Sequence, residues 1–234
     1  MKKTIKTLAL LALAAVLLTT ACGREEVDSN IVITSEEWVD MGLSSGVLWN
    51  ACNVGAITPE DYGRHYAWGE TQPKENYSWF TYLYCNGDFD RLTKYCTVLD
   101  FGNNNFHDTL TILKPGDDPA TAALGGDART PTRREWQELL DSCIATWTTQ
   151  NGVNGYRLVS NNGNSIFLPA AGFRWDATLE KQGSHCVYWS SSLNTSNPDC
   201  AWYFYVGPGY ELMDSYYRSH GFSIRPVRTQ RQTP

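Results

Sequence analysis

The chain has 234 residues, with 19 basic and 25 acidic side chains and a formal net charge of −6. An acidic protein repels phosphate backbones and anionic headgroups, which argues against nucleic acid as a partner. Its 9 Trp, 13 Tyr, 8 Phe and 19 Gly residues predict a core of many short strands and ordered loops rather than long helices.

The first 21 residues have the pattern of a bacterial secretory signal. Three lysines open the chain, and residues 8–18 form an apolar stretch too short to span a bilayer as a stable helix. Small residues then precede Cys22, as in a lipobox, although Leu18 stands four rather than three residues before this cysteine. We expect lipidation of Cys22 and a tether over residues 22–37. The alternative is a plain signal peptide with a free Cys22.

The residues after Cys22 predict the location of the protein. Glu25 and Glu26 resemble the acidic surface-export tag of lipoproteins in gut-type Gram-negative bacteria, and an ordinary solvated tether is the alternative. Acyl chains contribute about 0.8 kcal/mol per buried methylene and anchor a protein without a transmembrane helix. We therefore expect an outer-membrane lipoprotein at the cell surface. Loss of three signal lysines leaves 16 basic and 25 acidic residues, a charge of −9.

Six further cysteines follow Cys22 in a chain expected to reach an oxidising compartment, where disulfides are permitted. They allow 15 connectivities, among which the sequence does not choose. Cys85 with Cys96, and Cys186 with Cys200, flank predicted turns, so either pair is a candidate bridge. Free buried thiols are the alternative. Their spacing matches no zinc motif, and we predict neither a metal nor a cofactor.

The first part of the domain has few regular elements. Residues 38–49 predict a strand, a tight turn and a strand, with Leu48 and Trp49 facing inward. Residues 66–70 predict another short strand. Residues 71–128 are mostly irregular, and such a stretch needs a cofactor, a disulfide or aromatic packing to hold it. The aromatic candidates for this packing are Tyr77, Trp79, Phe80, Tyr82 and Tyr84.

Residues 114–123 place several carboxylates and carbonyls in a tight loop. Oxygen ligands of this kind suit calcium, whereas a solvated turn accounts for the same residues without a ligand. The second interpretation is the one we adopt.

One clear helix is predicted over residues 131–145. Thr132 is a good N-cap and Glu135 stands three residues later, which together predict a capping box. Apolar residues then recur at helical spacing and predict one buried stripe. This stripe consists of Trp136, Leu139, Leu140, Cys143 and Ile144.

The C-terminal part is predicted to be β-structure. Residues 156–168 read as a hairpin around an Asn-Gly turn, and residues 187–228 as two or three short antiparallel strands. Alternation along a strand sends Trp202, Phe204 and Val206 to the core and the intervening tyrosines to the other side. We predict an exposed binding face there, because tyrosines among small polar residues give large, rigid contact area with adaptable hydrogen bonding. The face consists of Tyr203, Tyr205, Tyr210, Asp214, Ser215, Tyr216, Tyr217, Ser219 and His220.

Several stretches resemble known families. Residues 129–136 resemble the R-x-P-T-x-x-E-W helix start of formylglycine-generating-enzyme-type domains, a branch of the C-type-lectin-like fold. Residues 188–192 and 221–227 resemble the closing strands of that fold. Residues 39–49 and 66–70 resemble the N-terminal signature of the Fibrobacter succinogenes major paralogous domain, a family of secreted bacterial lipoproteins.

The resemblance implies an α+β architecture. One C-type-lectin-like domain over residues 38–228 is expected, with a small twisted antiparallel sheet, one main capped helix and long ordered loops. Residues 229–234 are expected to be a C-terminal tail.

An enzymatic role is not expected. The formylglycine branch uses copper held by a closely spaced cysteine pair, whereas Cys186 and Cys200 are far apart in this sequence. The four histidines are scattered, no Gly-x-Ser-x-Gly elbow is present, and nothing marks a pair of catalytic acids.

Three binding or structural functions remain. A cell-envelope lipoprotein that binds a protein or glycan at its C-terminal face is the favoured hypothesis. A lectin is an alternative: residues 197–199 only partly match a calcium-lectin loop, whereas the tyrosines suit calcium-free stacking on sugar. A structural or pilus-associated surface protein is the third class.

A sharper form of the binding hypothesis concerns sequence variation. Lectin-fold proteins diversified by retroelements vary at adenine-rich codons just before a constant G-F-[SR]-x-R end, which resembles residues 221–225. Six residues that precede Gly221 are of the kinds such codons yield and are the candidate variable residues: Asp214, Ser215, Tyr216, Tyr217, Ser219 and His220. The coding DNA tests this, since a near-identical template repeat beside a reverse transcriptase gene is expected.

Overall fold

The computed structural model describes residues 34–230, so the signal segment and Cys22 lie outside the described residues. Within this range β-strands dominate and two short helices occur, which agrees with the predicted α+β class. Neither helix combines the length and apolar character of a membrane-spanning segment. The helices are α1 (Pro119–Leu124) and α2 (Arg133–Ser142). The strands are β1 (Trp38–Asp40), β2 (Val47–Asn50), β3 (His65–Tyr66), β4 (Cys143–Gln150), β5 (Val153–Ser160), β6 (Ser165–Pro169), β7 (Phe173–Trp175), β8 (Thr178–Glu180), β9 (Cys186–Leu193), β10 (Cys200–Gly207), β11 (Tyr210–Tyr217), β12 (Phe222–Ser223) and β13 (Val227–Thr229).

The strands form four small sheets. The largest has the order β11-β10-β9-β12-β3, and two three-stranded sheets have the orders β1-β2-β13 and β4-β5-β6. Strands β7 and β8 form a separate hairpin. Strands β9, β10 and β11 are antiparallel, as predicted, but β12 runs parallel to β9. The pairing of β13 with β2 brings the two ends of the domain together and extends the ordered strand to Thr229.

Strands β9 and β10 are buried on both faces, which decides where the core lies. Tyr188 and Phe204 face one cluster that contains Trp136 of α2. Trp189 and Tyr203 face a second cluster built with the loops between β3 and α2. Two faces are covered because α2 packs on one side and the long irregular segment packs on the other.

The predicted helix start is confirmed. The Thr132 side chain accepts a hydrogen bond from the Glu135 backbone N–H, and the Glu135 carboxylate accepts one from the Thr132 backbone N–H. Arg129 adds a bidentate ion pair to Glu135, with N···O distances of 2.5 and 2.8 Å. The sequence Arg-Thr-Pro-Thr-Arg-Arg-Glu therefore closes a local hydrogen-bond network around the first turn of α2.

The predicted helix end is wrong. Helix α2 stops at Ser142, and the next residues pair with β5 as strand β4, with Ile144 opposite Val159. Ile144 is 72% exposed and does not join the buried stripe, whereas Trp136 and Leu139 are fully buried. The run of Thr and Trp residues that follows has high β propensity, and pairing with β5 overrides the helical spacing of residues 143–145.

Replacing Thr132 with alanine is expected to lower the free energy of unfolding by about 1 kcal/mol, because the N-cap acceptor is lost. Urea unfolding followed by tryptophan fluorescence measures this loss. Thr146→Ala, which removes an exposed threonine side chain on β4, is the matched control. Equal stabilities of the two variants would show that the cap contributes nothing.

The other predicted elements compare with the structure as follows. The hairpin of β5 and β6 around residues 161–164 is confirmed, and so is the burial of Trp49. Leu48 is only partly buried, and residues 66–70 form a strand only as far as Tyr66. All six described cysteines have free thiols, so neither candidate disulfide is formed.

Carboxylates and aromatic side chains hold the irregular segment. Asp117 accepts hydrogen bonds from the hydroxyls of Tyr84 and Tyr95 and pairs with Lys94 at 2.6 Å. Asp118 caps α1 and accepts from the backbone and hydroxyl of Thr130. These oxygens are therefore occupied by internal donors, which speaks against the calcium alternative for residues 114–123.

Candidate functional site

The structure separates the predicted binding residues into exposed and buried groups. Tyr210, Tyr216 and Tyr217 are 46%, 43% and 44% exposed, and Asp214 is exposed as well. Tyr205 and Ser215 are partly buried. The prediction of an exposed face is wrong for the other three, which are buried: Tyr203, Ser219 and His220.

Tyr203 is buried because the side of β10 that was expected to face solvent is itself covered. Its ring contacts Trp189 and Phe222, with centroid distances of 6.2 and 5.2 Å. Burial raises the pKa of its hydroxyl well above the ordinary value. Alternation correctly predicted that Tyr203 and Phe204 lie on different faces of β10, but both faces of this strand are buried in the core.

Ser219 and His220 are buried by the turn that follows β11. The His220 backbone N–H donates to the Tyr217 carbonyl at 3.1 Å, so the chain folds back towards the core. Next in the chain, Gly221 lies against Tyr77 so closely that an added Cβ would stand 2.5 Å from the ring. The turn thus brings His220 below the surface, where Trp175 covers it.

The exposed residues divide between the two ends of β11. At one end the Tyr210 hydroxyl contacts Nε2 of His185 at 2.8 Å and the Tyr205 hydroxyl at 3.2 Å. At the other end stand Tyr216 and Tyr217, about 20 Å away at roughly 3.3 Å per residue. The two ends are joined through Tyr203, whose ring centroid lies 6.0 Å from that of Tyr205 and 6.0 Å from that of Tyr216.

The end of β11 that carries Tyr216 and Tyr217 borders a cleft of about 380 Å³, which we call the aromatic cleft. Three segments far apart in the sequence form it. Its lining consists of Tyr77, Ser78, Trp79, Phe80, Gly87, Asp88, Trp175, Asp176, Tyr216, Tyr217, Ser219 and His220.

Backbone hydrogen bonds fix these segments to one another. Tyr77 and Asp176 exchange two backbone hydrogen bonds of 2.8 and 3.1 Å, and Arg174 and Gly221 exchange two of 2.8 and 2.9 Å. The Tyr77 hydroxyl also donates to the His65 carbonyl at 2.6 Å. The walls of the cleft are therefore held in place by the fold, so a ligand need not order them.

Aromatic rings make up most of the cleft surface. The Trp175 ring is 55% exposed and stacks on His220, with centroids 6.0 Å apart and planes 18° apart. Trp79 meets Tyr217 edge to face at 6.0 Å. Phe80 is 90% exposed at the rim. Large apolar rings that are exposed and close together are typical of interaction sites.

The charge of the cleft is neutral to negative. Asp88 and Asp176 contribute carboxylates, and among residues 34–230 no Lys or Arg lines the cleft. Burial lowers the pKa of His220 to about 4, so its ring is uncharged at neutral pH. An anionic ligand would meet no positive charge in this cleft.

A smaller pocket of about 150 Å³ lies next to the aromatic cleft. Tyr216 lines both cavities. Phe173, Tyr205 and Phe222 line the smaller pocket as well. Together the two cavities offer an aromatic surface longer than the cleft alone.

Sequence reasoning missed the residues that dominate the cleft. Trp79 and Phe80 were expected to pack the irregular segment, yet Phe80 is exposed at the rim. Trp175 lies at the tip of the β7–β8 hairpin, next to Asp176 with φ of 49° in the turn. A lone Trp in an otherwise polar turn is the one local signal that marks this position.

No group of three or more His, Cys, Asp or Glu side chains placed to hold a metal ion occurs within residues 34–230. Neither a family model, nor a curated protein, nor a solved structure matches this chain. The family resemblance therefore stays a prediction.

Proposed function

We propose that this protein is a lipid-anchored, surface-exposed protein of the bacterial outer membrane that binds an extracellular protein or glycan in the aromatic cleft. The observation that carries the proposal is the exposure of Trp175, Phe80, Tyr216 and Tyr217 around one preformed cavity. Ring surface of this extent is unfavourable in water, and burying it against a ligand gains about 25 cal/mol per Å². A binding role accounts for rings that the core does not use.

The scaffold we propose is C-type-lectin-like. Support comes from one capped helix packed on the β9–β10 pair, from long ordered loops, and from the paired ends of the domain. In this arrangement Trp38, the first residue after the proposed tether, lies in the β1-β2-β13 sheet, and the cleft is formed by β7, the end of β11 with the turn after it, and the loop at residues 77–88.

A diversified recognition surface is the sharper form of this proposal. Four of the six candidate variable residues line the aromatic cleft, namely Tyr216, Tyr217, Ser219 and His220. Variation there would change ligand contacts while the backbone hydrogen bonds of Arg174 with Gly221 keep the cleft in place. The coding DNA, read for a template repeat, tests this form independently.

The test of the binding role uses arrays of immobilised glycans and host proteins probed with the full chain in detergent. Phe80→Ala and Tyr217→Ala are expected to weaken binding to the captured ligand about tenfold each, because each removes one ring from the cleft. Phe106→Ala is the matched control, since Phe106 is an exposed aromatic residue that does not line the cleft. Unchanged binding by both cleft variants would refute the assignment of the cleft as the site.

A further inference from the structure

We infer that the aromatic cleft takes a neutral carbohydrate of two or more sugar units, bound by stacking on Trp175 and without a metal ion. The inference rests on the proposed function and names the ligand class of the same site. It is drawn from ring exposure, from the placement of carboxylates and from the absence of cationic side chains in the lining.

The Trp175 ring is the stacking platform. One of its faces lies against His220 at 6.0 Å, which fixes its orientation, and more than half of the side chain stays accessible. The face of an aromatic ring is electron-rich and attracts the positively polarised C–H groups on the apolar face of a sugar. Phe80 and Tyr217 supply further ring surface at the edge of the same cleft.

The polar groups of the cleft suit hydroxyl donors. Asp88 and Asp176 provide carboxylate oxygens, which accept hydrogen bonds from sugar hydroxyls. Tyr216 and Tyr217 are nearly half exposed, and a tyrosine hydroxyl can both donate and accept a hydrogen bond. Rings with a few placed polar groups are the usual composition of a small-molecule site.

Charge restricts the sugar to a neutral one. Recognition of a carboxylate or phosphate generally uses Arg or Lys, and neither lines the cleft in the part of the chain that the structure describes. Asp88 and Asp176 would repel an acidic glycan. Uronic acids, sialic acids and phosphorylated sugars are therefore excluded as preferred ligands.

A site of aromatic rings and carboxylates can also bind an organic cation. The volume of the cleft favours a sugar over such a cation. An aromatic cage for a quaternary ammonium group encloses a single small head group. The cleft of about 380 Å³ is larger than such a group requires, and the pocket of about 150 Å³ beyond Tyr216 extends it further. We therefore assign the cleft to a glycan, and the smaller pocket to a second sugar unit.

The proposed site requires no metal. Sugar binding through a metal needs several oxygen ligands around one ion. Within the described residues no three acidic, histidine or cysteine side chains come together for this purpose. Chelators are therefore expected to leave binding unchanged.

The test uses the full chain in detergent on an array of neutral and acidic oligosaccharides, with and without EDTA. Binding to neutral oligosaccharides is expected to be unaffected by EDTA, about tenfold weaker for the monosaccharide, and about tenfold weaker in Trp175→Ala. Trp175→Phe is expected to keep most of the affinity, because it keeps a ring. Phe106→Ala is the control, and Phe80→Ala is the second cleft variant in case Trp175→Ala unfolds.

Each other outcome overturns the inference. Three results would point to another class of ligand than a neutral sugar. They are loss of binding in EDTA, preference for acidic glycans, and competition by millimolar tetramethylammonium. Suppose that the array captures a protein and no glycan, and that Trp175→Ala loses this binding. This result would refute the inference that the ligand is a sugar and would leave the proposed binding role intact. Capture of any ligand without loss in the cleft variants would refute both.

Discussion

Replacing Arg225 with methionine is expected to lower the free energy of unfolding by about 4 kcal/mol or more, the largest effect of any single substitution considered for this protein. Arg225 is fully buried and has no carboxylate partner among its hydrogen bonds. Its Nε donates to Oδ1 of Asn53 at 3.0 Å, and Nη2 donates to the Phe167 carbonyl at 2.7 Å. Nη1 donates to the carbonyls of Asn50 and Ala51.

The expected loss follows from those acceptors. Methionine fills part of the volume but donates nothing, so four buried acceptors lose their partner at about 1–3 kcal/mol each. Removing a buried charge offsets part of this, since burial lowers the pKa of Arg225 and so disfavours the charged form. We expect the loss of these four hydrogen bonds to exceed the gain from removing the buried charge. Through them the guanidinium joins β2, the segment that follows β2, and β6.

Guanidinium unfolding followed by tryptophan fluorescence measures this difference. Arg225→Lys keeps the charge but lacks the planar fork of donors, and an intermediate loss is expected. Arg228→Met is the matched control, because Arg228 is only partly buried and lies 4.5 Å from the Trp38 ring. A loss below about 1 kcal/mol for Arg225→Met would contradict a structural role for the buried guanidinium.

Lowering the pH from 7 to 5 is expected to remove roughly 4 kcal/mol of stability through two buried histidines. Burial is the main cause that lowers the pKa of His65 and of His220 from 6.5 to about 4. Between these values the unfolded chain binds protons that the folded protein does not, so stability falls as the pH falls from about 6.5 towards 4. At pH 5 each histidine accounts for about 2 kcal/mol of the loss.

The double variant His65→Gln, His220→Gln isolates this contribution. It carries no titrating group at either position, and its stability is expected to change far less between pH 7 and pH 5 than that of the natural chain. The lowered pKa values of Asp117, Glu135 and Glu138 act in the same direction only at more acidic pH, as these carboxylates become protonated. Equal pH dependence of the two proteins, measured by urea unfolding at both pH values, would show that the histidines are not the cause.

Local interactions made the start of α2 and the β5–β6 hairpin predictable. Thr132 and Glu135 satisfy each other's backbone donors within three residues, and the Asn-Gly turn at residues 162–163 joins two segments that pair directly. Trp49 was predicted to be buried because it is large, apolar and follows a tight turn. Such features depend on neighbours in the sequence and need no knowledge of the rest of the fold.

The binding residues were only partly predictable, because alternation assigns a residue to a face and does not say whether that face is covered. Tyr216 and Tyr217 were identified correctly as exposed rings. Tyr203 was not, since the segment between β3 and α2 covers its side of β10. Trp175 was not predicted to be a binding residue, because its partners in the cleft come from distant parts of the chain.

The sequence by itself determined the composition of the domain, the capped start of its helix and the turn of the β5–β6 hairpin, because each follows from residue type and short-range spacing. Only the tertiary structure decided that α2 gives way to β4 after Ser142, and that Trp175, Phe80 and Tyr217 border one cleft. Long-range backbone pairing, such as that of Tyr77 with Asp176, sets these positions. Such pairing depends on which segments meet in space, and hydrophobic periodicity within one segment does not specify its partner.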